Sequence, residues 1–158
     1  MKIKKMLDEE DLHELFFQHP HLLIGVNETI VEKQHEFMID KDSIADLYIR
    51  TDTSEYVVEI KDRRIKRRDV MQALRYKLKL RGRKNLKVLI VGCSVSHDAF
   101  EYAKQQNIYV RIIGTDIPLL LSICNYCRKA YDARRPKCPY CSCTRRLAII
   151  DLRNLQSF

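Results

Sequence analysis

Two carboxylates and a lysine carry the first chemical signal in this chain. Residues 44–61 read Ile-Ala-Asp-Leu-Tyr-Ile-Arg-Thr-Asp-Thr-Ser-Glu-Tyr-Val-Val-Glu-Ile-Lys. Asp46 lies on one extended run, and Glu59-Ile60-Lys61 closes the next. Carboxylate oxygens are hard ligands suited to Mg²⁺ or Mn²⁺, and Mg²⁺ keeps waters and accepts phosphate oxygens beside its protein ligands. The Ile60 carbonyl offers a further oxygen. A cation bound there would neutralise a phosphodiester and lower the pKa of a bound water. Lys61, on the same side of its strand as Glu59, could orient that water or stabilise the charged transition state. Alone, Glu-x-Lys in a strand is usually a surface ion pair. Asp46 before it, and the run Asp62, Arg63, Arg64, Lys66, Arg67, Arg68 after it, raise the pattern to a candidate site for chemistry on a polyanion.

The second signal is in the tail. Cys124-Asn-Tyr-Cys127 and Cys138-Pro-Tyr-Cys141 form two Cys-x-x-Cys knuckles, with Cys143 close by. Two such pairs can set four thiolates tetrahedrally around one structural zinc. Cys143 competes with Cys141 as the fourth ligand, and the proline-containing pair is the better knuckle. Arg128, Lys129, Arg134, Arg135, Lys137, Arg145 and Arg146 surround these cysteines and are placed to meet phosphates. So polar a segment has little core of its own, and metal binding would supply most of its folding energy.

The elements that must position these groups follow from periodicity. Residues 44–61 read as a β-hairpin, with turn chemistry at Thr51 to Ser54. In its second arm Tyr56, Val58 and Ile60 share one face, and Val57, Glu59 and Lys61 the other. Asp46 is expected opposite to Ala45, Leu47 and Ile49. Both faces of the arm begin apolar, which predicts a central, buried strand. Upstream, residues 8–19 place Leu12, Leu15 and Phe16 at helical spacing and end at His19-Pro20. His13, His19 and His21 read as surface or capping residues rather than ligands. Residues 29–39, including Glu36, read as a strand. Downstream, a helix over 66–80 shows an apolar face of Val70, Met71, Leu74 and Leu78 before Gly82, and carries Gln72 and Tyr76 one turn apart. A short apolar strand over 86–91 follows. A helix capped by Ser94 or Ser96 then runs to about 106, and a strand covers 108–113. Cys93 reads as a buried small hydrophobe and His97 as inert. Strands alternating with helices indicate an α/β layer with parallel pairing. Strands over 119–123 and 147–150 would complete the cysteine ribbon. The expected division is 1–116 and 117–158.

With 158 residues the chain can bury one ordinary core plus an appendage, and its net charge of +8 favours polyanionic partners. The N-terminus, Met-Lys-Ile-Lys-Lys-Met-Leu-Asp, has no apolar signal core, and no run is long enough to span a bilayer. The expectation is an intracellular, cytoplasmic protein without a membrane partner. Six cysteines in a reducing compartment then argue for metal rather than disulfides.

Asp46, Glu59-Ile-Lys61 and the helical Gln72-Ala-Leu-Arg-Tyr76 together resemble the PD-(D/E)xK nuclease superfamily. More narrowly they resemble its RecB- and NucS-type branch with a Gln-x-x-x-Tyr motif. Glu-Glu-Asp-Leu-His-Glu-Leu-Phe-Phe-Gln-His-Pro-His-Leu-Leu looks like the lead helix of the NucS-type domain, and Glu36 falls near that family's additional acid. The resemblance covers roughly residues 8–113. It implies a restriction-endonuclease-like α/β core, a mixed central sheet flanked by helices, followed here by a small C-terminal zinc ribbon. It further implies that Asp46 and Glu59 bind metal and that Lys61 assists the nucleophile. Gln72 and Tyr76 would support the site or touch DNA. Two departures stand out. Ala45 replaces the proline before Asp46, and the ribbon is additional, while the family's separate N-terminal DNA-binding domain is expected to be absent.

The leading expectation is therefore a Mg²⁺-dependent DNA endonuclease, acting in DNA repair, whose ribbon adds grip on the substrate. Arg63, Arg64, Lys66, Arg67, Arg68, Arg134, Arg135, Arg145 and Arg146 are the expected DNA contacts. A non-catalytic nucleic-acid binder would keep the basic surface but gain nothing from carboxylates facing phosphates. A zinc-ribbon adaptor docking on a replication or repair protein would explain the cysteines but not Asp46 and Glu59. A homodimer is compatible with all three.

Overall fold

The computed structural model of the chain describes residues 2–4, 8–25 and 27–153. In chain order these form β1 (Lys2–Lys4), α1 (Glu9–Gln18), a 3₁₀ turn (Pro20–Leu22), β2 (Ile30–Asp40), β3 (Ser43–Thr51), β4 (Glu55–Ile60) and β5 (Arg64–Ile65). Then come α2 (Arg67–Lys79), β6 (Leu86–Gly92), β7 (Ser94–Val95), α3 (His97–Gln105), β8 (Tyr109–Ile112), β9 (Leu120–Cys124), β10 (Ala130–Asp132) and β11 (Arg146–Asp151).

The main sheet has the order β2-β3-β4-β6-β8. β2, β3 and β4 pair antiparallel, and β4, β6 and β8 pair parallel through crossovers that contain α2 and α3. The hairpin arm that carries Glu59 is thus the middle strand of a mixed sheet. Its alternation holds: Tyr56, Val58 and Ile60 face one apolar cluster, and Val57 faces the other.

On the first face the sheet packs against Leu12, Leu15 and Phe16 of α1. On the second it packs against α2 and α3 through Val70, Ala73, Tyr76, Ala99 and Ala103. The buried stripe of α2 differs from the expected one. Met71 and Leu78 are 44% and 49% exposed, while Ala73, Tyr76 and the helix-terminal Leu80 are enclosed. The helix is turned by what Tyr76 reaches, a buried carboxylate on β4, rather than by its largest aliphatic side chains. Ser96, not Ser94, caps α3: its hydroxyl accepts from the Ala99 amide at 3.2 Å, while Ser94 belongs to the short β7.

Two local features shape the end of β4. The β3–β4 ladder stops at Leu47–Val58, and beyond it the Asp46 carboxylate accepts the Ile60 amide at 2.7 Å. A side chain thus replaces a ladder bond, and the strand loses its alternation there. Leu47 and Ile49 face the first cluster, but Ala45 falls in the second, contrary to the shared face expected for all three. The other feature is Gly92. An added Cβ would lie 2.5 Å from Ile65 Cγ1 and 2.9 Å from the Arg63 carbonyl, so only glycine lets the chain after Lys61 cross this close to β6.

The tail forms a second sheet, β1-β11-β9-β10, in which the N-terminal Lys2–Lys4 adds a parallel strand to β11. Leu121, Ile123, Ile150 and Leu152 join the same buried cluster as Leu12, Phe16 and Ile60. The ribbon is therefore packed on the first face of the main sheet. No described helix is long and apolar enough to cross a membrane.

Candidate active site and cysteine metal centre

Glu59 is the penultimate residue of the middle strand, with its side chain only 4% exposed. Tyr76 donates its hydroxyl to Glu59 Oε1 at 3.1 Å, and the Lys61 ammonium lies 3.6 Å from Oε2. Gln72 donates its amide to the Tyr76 hydroxyl at 2.9 Å. The Ile44 carbonyl also lies 3.1 Å from that hydroxyl, whose single proton can serve only one of the two acceptors at a time. Gln72, Tyr76 and Glu59 thus form a directed chain that fixes the carboxylate from α2. Burial, and next the neighbouring Asp46 charge, push the Glu59 carboxyl up to about 7, against the pull of Lys61 and Tyr76. A carboxylate in this position is short of positive charge.

Asp46 is half-buried and is met by a side chain of α1. His13 Nε2 lies 3.5 Å from its Oδ2, and Glu9 Oε1 lies 3.8 Å from the same nitrogen. Glu9, His13 and Asp46 offer ligand atoms all within 4.8 Å of one another. His13 is therefore not the surface or capping residue that the sequence suggested. The spacing of Glu9 and His13, one turn apart on a helix, was the available signal. It was obscured because Glu9 sits among the acids of the first turn, where Asp8 and Asp11 form a reciprocal capping box. Glu36 sits in register opposite Asp46, between the pairs His35–Leu47 and Phe37–Ala45. It is exposed, has φ of 50°, and is not among the residues grouped around Asp46. Ile60 contributes its amide to Asp46.

The basic residues divide into two kinds. Arg63 makes a two-pronged ion pair with buried Asp69 at 2.8 and 2.9 Å. Arg67 pairs with Asp98 at 3.0 Å and lies over the Tyr102 ring, and Arg134 pairs with Asp132 at 2.7 Å. Arg146 donates to the carbonyls of Ala133 and Arg135, bracing the ribbon. By contrast Arg64, Lys66, Arg68, Arg135 and Arg145 are exposed and make no ion pair among the described residues.

In the tail, Cys124, Cys127, Cys138 and Cys141 converge, with Sγ separations of 3.5 Å (Cys124–Cys141) and 3.6 Å (Cys127–Cys138). Zinc–sulfur bonds of about 2.3 Å in a tetrahedron imply sulfur separations of about 3.8 Å, so the four thiolates fit a zinc ion. The two knuckles repeat each other. Cys124 Sγ accepts from the Tyr126 amide at 3.3 Å, and Cys138 Sγ from the Tyr140 amide at 3.4 Å. Arg128 and Ser142, at equivalent positions, both turn with positive φ, 65° and 67°. Cys143 stands outside the four and lies 3.8 Å from the Arg145 carbonyl. His19 and His21 clamp the ribbon to the end of α1: the Ala130 amide donates to His19 Nδ1 at 3.3 Å, and His21 Nε2 lies 2.8 Å from the Ala130 carbonyl.

A mixed sheet with an acid on the third strand, Glu-x-Lys closing the fourth and Gln-x-x-x-Tyr on the crossover helix defines a nuclease-like fold of the PD-(D/E)xK class. Residues 8–119 match the model of the endonuclease NucS C-terminal domain, and the chain belongs to that family. Among solved structures it is similar to EndoMS in complex with double-stranded DNA, with 22% identity and a TM-score of 0.59, covering 70% of this chain and 46% of that one. It is also similar to a repair endonuclease from Pyrococcus abyssi, with 21% identity and a TM-score of 0.57, covering 70% and 48%. Apo EndoMS gives 18% identity and a TM-score of 0.53, again covering 70% and 48%. The chain thus spans just under half the length of these structures. No curated protein matches it.

Proposed function

We propose that this chain is a divalent-metal-dependent DNA endonuclease that hydrolyses phosphodiester bonds, with its cysteine ribbon contributing to the grip on DNA. The observation that carries the reading is the enclosed Glu59, held by Tyr76 and Lys61, with the Asp46 charge close by. An enclosed carboxylate beside a second one is costly without a cation, and both are hard oxygen donors, so the donor set fits Mg²⁺ or Mn²⁺. Asp46 and Glu59 would hold the metal together with the Ile60 carbonyl. When bound, the metal supplies charge neutralisation at the phosphodiester and a more acidic water. Lys61 keeps its ammonium beside Glu59 to orient the attacking water and offset the charge that builds on the phosphate. Gln72 and Tyr76 hold the Glu59 rotamer, and Glu36 is an outer acid opposite Asp46. Arg64, Lys66, Arg68, Arg135 and Arg145 have the freedom to meet phosphates; Arg63, Arg67, Arg134 and Arg146 would do so only by giving up internal partners.

The ribbon zinc is structural in this reading, since four thiolates leave no open position. In this reading 1–116 is the nuclease unit and 117–158 the ribbon, except that β1 of the first part completes the ribbon's sheet beside β11, and the setting is intracellular DNA repair, as a homodimer or with a repair partner. Incubation of plasmid, mismatched, branched and single-stranded substrates with Mg²⁺, Mn²⁺ or EDTA tests the activity. Cleavage is expected with either metal and none with EDTA, and Glu59→Ala should abolish it while leaving DNA binding largely intact. If Glu59→Ala and Lys61→Ala both cleave at the wild-type rate, the site assignment is wrong.

A further inference from the structure

Beside the candidate active site lies a polar cleft of about 380 Å³, lined by Lys41, Asp42, Ser43, Ile44, Gln72, Arg75 and Tyr76. Its floor is shared with the site. Tyr76 hydrogen-bonds Glu59 from within the core, and Gln72 hydrogen-bonds Tyr76 from the cleft side. One wall is the β2–β3 turn and the other is α2, where Gln72, Arg75 and Tyr76 share a face by their spacing. Lys79 holds the turn against the helix, pairing with Asp40 at 2.8 Å and donating to the Ser43 hydroxyl at 2.6 Å. That leaves two cations, Lys41 and Arg75, one on each wall. Both are exposed, and neither makes an ion pair or side-chain hydrogen bond among the described residues. Asp42 is the single acid lining the cleft.

We propose that this cleft is a phosphate-docking subsite, in which Lys41 and Arg75 take a backbone phosphate of the DNA strand next to the phosphate that is cut. The proposal rests on the nuclease reading above and specifies how that site is loaded. Phosphates repeat at short, regular intervals along a strand, so a strand laid across Glu59 places a neighbouring phosphate one step outside the Tyr76 layer. A planar guanidinium on a helix and an ammonium on a turn are donors suited to phosphate oxygens. The contact is to the backbone and carries no base information. Gln72 then has two neighbours, the hydroxyl that orients Glu59 and the docked phosphate.

The test compares the double variant Lys41→Gln/Arg75→Gln with Lys84→Gln/Lys104→Gln, which removes the same charge away from the cleft. Duplex affinity is measured in EDTA across a salt series. The first variant is expected to weaken binding about tenfold or more at moderate salt and to lower the slope of log affinity against log salt by about 1, the share of one phosphate. The control should change both far less. Cleavage by the first variant at saturating DNA should stay within about twofold of wild type, with the loss appearing in KM. A methylphosphonate replacing the phosphate on either side of the cut should impair wild type at one of the two positions and leave the variant indifferent there. Wild-type protein that cleaves, with both variants binding alike or with no methylphosphonate difference, overturns the subsite and leaves the nuclease reading standing. Wild-type protein that binds no DNA overturns both.

Discussion

At the scale of single residues, the most informative contact is the one from Tyr76 to Glu59. By its apolar neighbours on α2, Tyr76 is a packing residue, and at 3% exposure it does pack. Its hydroxyl, however, spends its proton in the interior on Glu59 or the Ile44 carbonyl, and burial, then the Glu59 carboxylate, hold its pKa above that of an ordinary tyrosine. Tyr76→Phe keeps the ring and removes the donor. Glu59 then loses a fixed orientation and one of its few charge-stabilising partners. Turnover at saturating DNA should fall about tenfold with DNA affinity unchanged, at a stability cost of about 1 kcal/mol. Single-turnover kinetics alongside thermal unfolding check this. Normal turnover with a lowered melting temperature would make Tyr76 a packing residue only.

Elements meet this site at two pinch points. One is the crossing of β6 and the segment after Lys61, where Lys61 and Cys93 amides donate to the Val91 and Arg63 carbonyls at 2.9 and 3.1 Å. Gly92 lies between these bonds, and Gly92→Ala must push a backbone carbonyl and Ile65 aside. The expected cost is about 1–3 kcal/mol in denaturant unfolding, with a loss of activity beyond it because Lys61 moves with the segment. An unchanged unfolding midpoint would show that the crossing can relax. The other point is the histidine clamp. Burial, then His21 and Lys33, hold His19 down to about 4 from the usual 6.5. The unfolded chain therefore takes up a proton first as pH falls, and the stability this neutral histidine contributes is lost between about pH 6.5 and pH 4. The wild type should lose on the order of 1–2 kcal/mol more over that window than His19→Gln, allowing for partial solvent screening. Parallel urea titrations at pH 7 and pH 4.5 decide it.

For the molecule as a whole, the ribbon and the nuclease core share one apolar cluster, with Leu121, Ile123, Ile150 and Leu152 seated among α1 and main-sheet residues. Zinc loss should therefore lower the stability of the entire chain rather than release a loose tail. Metal analysis is expected to find near-stoichiometric zinc in wild type and Cys143→Ser, and none in Cys138→Ser. The latter should unfold earlier in a single transition that spans both parts. A two-step unfolding curve for Cys138→Ser, with the first step confined to the tail, would instead make the ribbon an independent unit. By the same packing, deletion of residues 119–158 uncovers the first face of the sheet and should yield aggregated protein. Neutralising Arg135 and Arg145 is thus the cleaner way to test the ribbon's part in DNA binding.

Local chemistry was enough to place α1, α2, α3 and the strands of the main sheet. The alternation of residues 55–61 marked a buried middle strand, and the paired Cys-x-x-Cys spacings marked a four-thiolate centre, because period and spacing are properties of the chain itself. Other features depended on what came to lie opposite. Glu9 and His13 join Asp46 only because α1 crosses the sheet at that strand end, far away in sequence. The same holds for the Ala130 clamp on His19 and His21, and for β1 pairing with β11. The break in β3 at Asp46 also escaped the pattern. Alternation assumes an unbroken ladder, and there a carboxylate took the hydrogen bond that a backbone carbonyl would have made. Which arginines are free was likewise settled by the fold: Arg63 and Arg68 look alike in sequence, but only Arg63 has a buried aspartate within reach.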